Sequence, residues 1–291
     1  MQIVTDRGAD LAPEQWEGLN VNFAPLHITL DGKTYASGID IQPEEFYQLL
    51  SKTENFPITS QPSPNDFADL YRRLAKTDPD ILSVHISSGL SGTVNSAKAA
   101  ISMVPEARVT LVDTKTLSAP EGWIVQAAGL ALKQGWPLEK ILPYLDRIRA
   151  VTEGVYTLNE LRYLIHGGRI SHIKGLMASL LNIKPIINVD LETGKYSQKG
   201  QDITIKRAVQ RIIDFVAARF PENPTLRVQP LHGYFPEGVE ILVEKMKSRF
   251  DCKFEVAIPI APALGAHTGP SMVGMAVAPL SVFQELNNAA I

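Results

Sequence analysis

Cysteine is nearly absent from this chain. Cys252 stands alone among 291 residues, which excludes an intramolecular disulfide and any multi-cysteine zinc site. An excess of charge is lacking too: 28 Lys and Arg stand against 31 Asp and Glu, a formal net charge of -3. A general nucleic-acid binder would carry a strongly basic surface, so nucleic acid is not an expected partner. No apolar run approaches the ~18 residues needed to span a bilayer. The opening Met1-Gln2-Ile3-Val4-Thr5-Asp6 has no charged stretch followed by an apolar one, so no secretory leader is expected. The six histidines include no H-x-x-x-H or H-E-x-x-H pair, and no metal site is expected from them. What the chain does have is balance. Hydrophobic residues make up 45% and charged residues 20%, the composition of a folded globular protein. The length suits one large or two medium domains, and the expected setting is reduced and cytoplasmic.

Periodicity predicts an α/β protein. Short β-branched runs at Ile3-Val4, Ile81–Ile86 and Val109–Val112 read as buried strands. Helical patterns fall at Pro43–Leu50, Pro64–Lys76, Val94–Met103, Gly122–Gln134 and Leu138–Arg149. Strands separated by helices of ten or more residues imply βαβ units and a mostly parallel sheet covered on both faces. From about residue 155 the texture changes. Helices are expected at 158–165 and 173–181, then an edge strand or strand start at Lys184–Val189, because Pro185 interrupts its ladder. A turn at Glu192–Lys195 leads to a return strand at Tyr196–Gln198. A helix at Thr204–Ala218, a strand at Leu226–Leu231, a helix at Pro236–Phe250 and a strand at Phe254–Ile258 follow, with a last strand near Met275–Ala278. The expected organisation is an N-terminal three-layer α/β/α domain over 1–155 and a smaller C-terminal α/β domain with a mixed sheet over 156–291.

Four segments stand out chemically. Ser87-Ser88-Gly89-Leu90-Ser91-Gly92-Thr93 follows a strand and opens a helix, at the sheet edge where open α/β folds bind ligands. Its glycines let a ligand approach the backbone, its hydroxyls donate, and a helix N-terminus favours an anion, either carboxylate or phosphate. The alternative is an ordinary strand–helix turn capped by Ser91 or Thr93. In Thr59-Ser60-Gln61-Pro62-Ser63-Pro64, Ser63 and Asp66 read as a capping box, which leaves Thr59 and Ser60 as loop hydroxyls stiffened by two prolines. Gly167-Gly168-Arg169 ends a helix, with Gly167 as the expected C′ glycine and Arg169 suited either to a phosphate or to an ion pair. Gly265-Ala266-His267-Thr268-Gly269-Pro270 reads as a loop whose small residues leave an accessible imidazole. Ser91, His267 and Asp6 supply the residue types of a hydrolase triad, although the G-x-S-x-G spacing of a nucleophile elbow is missing. Cys252 reads as an inert small hydrophobe.

Taken together and in this order, these segments resemble the DegV family of bacterial fatty-acid-binding proteins. Thr5-Asp6 with Ala9-Asp10-Leu11, Gly38-Ile39-Asp40-Ile41, Tyr163-Leu164, Ile183-Lys184-Pro185-Ile186 and His267-Thr268-Gly269-Pro270 carry the match with the four segments above, over nearly the whole chain. Members of that family include the FakB-like lipid-carrying subunit of a two-component fatty acid kinase. The resemblance implies a long-chain fatty acid buried in the apolar interior, with its carboxyl end near the domain interface. It implies that Thr59, Ser60, Ser91, Gly92, His267 and Thr268 surround the carboxylate. Arg169, Lys206 and Arg207 would face a separate DAK-type kinase subunit that binds ATP and delivers phosphate. No cofactor and no catalytic residue are implied; the chain would be a non-catalytic carrier with transient membrane contact. Two alternatives are a serine-dependent hydrolase or acyltransferase using Ser91 and His267, and a binding module for another anionic lipid. The chain departs from the family pattern at Arg7-Gly8, where a serine is usual after Thr5-Asp6. It departs again at Thr204, which stands in place of the first arginine of the kinase-facing helix start, and at Ser271-Met272.

Overall fold

The computed structural model describes residues 1–169 and 183–287. The helix expected near 173–181 lies outside them. Two sheets organise the chain. The first is parallel, in the order β2-β1-β6-β7, built from β1 (Gln2–Asp6), β2 (Val21–Ala24), β6 (Asp80–His85) and β7 (Arg108–Asp113). Helices α3 (Pro64–Ala75) and α4 (Thr93–Ile101) cover one face, packing Phe67, Tyr71 and Ala97 against Val4 and Ile81. The opposite face, with Ile3, Leu82 and Val84, meets the same core as Trp123 and Ile124 of α5 (Ser118–Lys133) and Tyr144 of α6 (Leu138–Val151). Every residue from Ser118 to Val125 is buried, the mark of a helix covered all round. It is covered because it also packs on the second sheet.

That second sheet is mixed and runs β10-β9-β8-β14-β11-β12, with β13 also paired to β11. Its strands are β8 (Glu153–Thr157), β9 (Lys184–Val189), β10 (Tyr196–Asp202), β11 (Leu226–His232), β12 (Cys252–Phe254), β13 (Ile258–Pro259) and β14 (Val273–Pro279). Helices α8 (Ile205–Arg219) and α9 (Pro236–Arg249) close its far side over Val155, Val228 and Met275. The layers therefore alternate helix, sheet, helix, sheet, helix. The change of texture expected near residue 155 falls inside β8.

Several expectations need correction. Strand β9 is not an edge: it lies between β8 and β10. Pro185 is tolerated because it sits at the strand start, opposite Gln201 and beyond the residues that pair with β8. Pro230 is likewise accommodated inside β11, where the neighbouring ladder passes from β12 to β13. The expected strand at 254–258 is these two short strands, so Cys252 begins one instead of preceding it. The helix expected at 158–165 is only α7 (Arg162–His166). A small antiparallel sheet was not foreseen. It runs β4-β3-β5, from β3 (His27–Leu30), β4 (Lys33–Ala36) and β5 (Ile58–Ser60). Two further helices complete what the site needs: α2 (Pro43–Leu50) and α10 (Pro262–Thr268).

Candidate functional site

Three elements distant in sequence converge on one cavity of about 520 Å³. Strand β5 brings Thr59 and Ser60, held by pairing of Ile28 with Thr59 and His27 with Ser60. The turn after β6 brings Ser91, and α10 brings His267. Thr59, Ser60, Gln61, Ser91, Arg169 and His267 line the cavity, with Leu26, Ile86 and Leu90 among its apolar walls. Thr59 and Ser60 are thus on an edge strand, not a loop. His267 is in the last turn of a helix and partly buried, not on an open loop.

The imidazole sits in a tight niche. Thr59 Oγ1 is 2.8 Å from His267 Nε2. On the other side Gly167 lies so close that a Cβ there would collide with His267 Nδ1, which explains why position 167 has no side chain. Gly167 itself keeps ordinary helical φ; the left-handed residue of the pair is Gly168, at φ 74°. Burial, then the Arg169 and His166 charges, push the His267 pKa down to about 3, so the ring is neutral near pH 7. A neutral imidazole has one N–H to place, and Nδ1 is buried with no hydrogen-bond partner among the described residues. An orphaned N–H costs more than an orphaned lone pair, so the proton belongs on Nε2, donating to Thr59 Oγ1. The Thr59 hydroxyl hydrogen is then free to donate to something else.

Ser91 is arranged in the same sense. Its Oγ is 2.8 Å from Thr93 Oγ1 and accepts from the Thr93 N–H at 3.3 Å, at the start of α4. This is partly the cap that local rules anticipate, with Gly92 as the N-cap residue. The glycines of this turn are used differently from expectation. Gly89 is required by the chain itself, because a Cβ there would strike the backbone of Thr193 and Gly194, and Ser87 Oγ donates to Gly194 O at 2.7 Å. Gly92 faces the Gln61 side chain. Arg169 donates to Gly167 O at 2.6 Å and lines the cavity.

An apolar cavity of about 420 Å³ adjoins the polar one and shares Leu117, Tyr196 and Leu264 with it. Its other walls include Pro120, Val155, Val189, Leu231, Met272 and Met275, drawn from α5 and the mixed sheet. Thr268, expected at the polar end, lines this cavity instead, its hydroxyl turned back to Leu264 O at 3.4 Å. Sequence reading missed Tyr196 and Leu117; the only local hint of Tyr196 was an aromatic opening the return strand. Lys206 and Arg207 are exposed on the first turn of α8 and line neither cavity. Thr204, standing where an arginine was expected, caps that helix by accepting from Arg207 N at 3.3 Å. Arg7 does not reach the polar cavity either; it lines a separate one. Burial raises the half-buried Cys252 thiol to about 11, in keeping with an inert side chain.

The triad of Ser91, His267 and Asp6 does not assemble. Asp6 is engaged elsewhere: its Oδ1 accepts from Gly8 N, and its Oδ2 accepts from Ile86 N at 3.0 Å and lies 2.9 Å from His85 Nδ1. The chain continues from His85 Nε2 to Ser83 Oγ at 2.6 Å and on to Tyr71 OH at 2.7 Å, all of it buried. Ser91 bonds to Thr93 and His267 to Thr59, so among the described residues Ser91 has no base. Among the described residues no group of three or more His, Cys, Asp or Glu could hold a metal, and no helix is long and apolar enough to cross a membrane.

Comparison with known proteins bears on this geometry. Residues 1–280 match the family described as "uncharacterised protein, DegV family". A DegV domain-containing protein of Deinococcus radiodurans is 32% identical over 277 residues, covering 95% of each chain. Among solved structures, a fatty-acid-binding DegV family protein from Thermus thermophilus superposes with a TM-score of 0.87 at 32% identity, covering 96% of this chain and 99% of its own. A stearic acid-binding protein from Eubacterium ventriosum gives 0.86 at 27% identity, covering 96% and 98%. Matched over nearly its whole length in both sequence and fold, this chain belongs to the DegV family.

Proposed function

We propose that this chain binds a fatty acid across its two lobes, tail in the apolar cavity and carboxylate in the polar one, and acts as a carrier without chemistry of its own. The observation that supports this most directly is the pair of adjoining cavities. One is walled by side chains without charge, and the other is edged by Thr59, Ser91 and His267; they meet at Leu117, Tyr196 and Leu264. The energetics divide the same way. Each buried methylene contributes about 0.8 kcal/mol, so a chain of ~16 carbons gains roughly 10 kcal/mol before entropy costs. Hydrogen bonds to the carboxylate contribute about 1.5–3 kcal/mol each. Affinity then comes from the tail, and the hydroxyls fix which end lies where.

The polar end holds an anion without a full counter-charge from the ring, because His267 is neutral. Its Nε2–H fixes the Thr59 hydroxyl as a donor towards the carboxylate, and Ser91 Oγ supplies a second. A carboxylate held this way keeps its nucleophilic oxygens. In our reading it is presented in the cytoplasm to a separate ATP-dependent kinase subunit, with Arg169 facing the incoming phosphate, and the acyl phosphate is then delivered at a membrane surface. Lys206 and Arg207, exposed at the start of α8, would meet that subunit. Ser91 bonds to Thr93 and not to His267, which disfavours the hydrolase alternative.

The test is direct. Purified protein is extracted with organic solvent and examined by native mass spectrometry, and a bound acyl chain is the expected result. Thr59→Ala with Ser91→Ala should weaken fatty-acid binding about ten- to hundredfold per lost bond while leaving the thermal midpoint little changed. Absence of any co-purifying acyl chain together with no binding in solution would refute the proposal. Unchanged affinity in the double variant would mean that the head group lies elsewhere.

A further inference from the structure

A third cavity, of about 520 Å³, is lined by Arg7, Asp10, Leu11, Trp16, Gln42 and Ile258, and it shares none of these residues with the two cavities above. Arg7 is held firmly at its wall. The guanidinium carbon stands 4.0 Å over the Phe23 ring, and a side chain at Gly38, where φ is 67°, would come within 3.4 Å of the Arg7 side chain. One flat face is thus engaged by Phe23, while its N–H edge is unspent. Among the described residues Arg7 has no ion-pair partner, and its buried Nε has no hydrogen-bond acceptor. The acid on the same wall is not that partner. Asp10 Oδ2 accepts from Ser118 Oγ at 2.6 Å and its Oδ1 accepts from Ala261 N at 3.0 Å. A half-buried guanidinium with a fixed plane and open donors matches a planar, bidentate anion. Around it Leu11, Trp16 and Ile258 give an apolar side to the wall, and Asp10 and Gln42 a polar one.

We propose that this cavity is a second ligand site, distinct from the fatty-acid site, for a small monocarboxylate with a compact apolar or aromatic body. The carboxylate pairs with Arg7 edge to edge, and the body packs on Trp16 and Ile258. This cavity shares no lining residue with the apolar one, so the two ligands do not compete.

Benzoate is the probe. Its binding to the full-length, fatty-acid-loaded protein is followed by the fluorescence of Trp16, with Trp16→Phe identifying that contribution among the three tryptophans. Benzoate should bind saturably, benzamide should not, and oleate should leave benzoate binding unchanged. Arg7→Met keeps an apolar stem over Phe23 but removes the donors; it should weaken benzoate about ten- to hundredfold without altering oleate affinity. Arg7→Lys should retain part of the binding, which separates loss of charge from loss of fold. Equal binding of benzoate and benzamide, equal binding by Arg7→Met, displacement by oleate, or no saturable binding at all would each overturn the proposal.

Discussion

Two hydroxyl–imidazole clusters lie in this molecule, and they differ in what they leave unfinished. Around His85 every link is made: Asp6, His85, Ser83 and Tyr71 form a closed chain inside the parallel-sheet core. Around His267 the chain stops short. Thr59 is fixed from one side only, Nδ1 has no partner among the described residues, and the hydroxyls of Thr59 and Ser91 border a cavity. The first cluster has the side-chain types of a hydrolase triad and no access; the second has access and no nucleophile–base pair. Residue types therefore mislead, while the combination of incomplete hydrogen bonding and adjacent empty space marks the candidate site. A satisfied buried network rigidifies a core, and a network with donors to spare awaits a ligand.

The sharpest way to break this contrast is to cut the closed chain. Asp6→Ala strands two backbone N–H groups and the His85 ring in a dry interior, and should cost about 3–5 kcal/mol in denaturant unfolding. The fraction still folded should bind fatty acid as tightly as the parent chain. Lost binding at unchanged stability would show that the sealed cluster is functional after all.

Asp10 is an intermediate case, closed in its hydrogen bonds yet electrostatically uncomfortable. Burial above all, and secondarily the Asp6 charge, raise its pKa from 3.8 to about 7, although the Ser118 hydroxyl and Ala261 N–H pull it down. Tyr47 and the buried Glu121, itself pushed well above the usual carboxylate range, also face it electrostatically. A carboxyl whose folded pKa is raised contributes stability that is present below pH 4 and lost as pH rises through about 7. At 1.36 kcal/mol per pH unit the loss is at most about 4 kcal/mol. Asp10→Asn, which mimics the protonated form, should therefore be the more stable chain at pH 8, by about 2–4 kcal/mol, and lose that advantage by pH 4. A variant less stable than its parent at pH 8 would contradict the assignment.

Much of the fold was legible because its signals are local. Strands β1, β6 and β7 and helices α2, α3, α8 and α9 follow from β-branched runs, amphipathic spacing and caps that need no distant partner. Strands β3, β4 and β5 escaped because they are three or four residues long and half polar, as His27 and Thr29 or Lys33 and Thr34 illustrate. Helix α10 escaped because its glycines suggested a loop. Yet Pro262 at its first turn and Gly269 at its end, φ 73°, bracket apolar Ala263, Leu264 and Ala266 in the order a short helix uses. The site was less legible for a different reason. Thr59 and His267 are 208 residues apart, and no local rule pairs them; only resemblance to a family set them side by side. The same holds for Gly89 and Gly167, whose lack of a side chain is dictated by Gly194 and His267, both far along the chain.

The finest discrimination between the clusters concerns protons. His267 in the open cluster has its pKa lowered to about 3 by burial and by the neighbouring charges of Arg169 and His166. A histidine depressed in this way contributes stability above 6.5, the ordinary histidine value, that is lost as pH falls towards its folded value. Ring carbon and nitrogen shifts of His267, read by NMR in the fatty-acid-free protein, should stay those of the neutral Nε2–H form from pH 8 to pH 5. A midpoint near 6.5 would mean that the niche formed by Gly167 and Thr59 does not exclude water as its geometry requires. Adding a fatty acid supplies a negative charge beside the ring and should move the midpoint upwards, since an adjacent anion favours imidazolium. A shift in that direction, absent with a fatty-acid methyl ester of equal length, would tie the unfinished hydrogen bonds of the open cluster to the carboxylate of the proposed ligand.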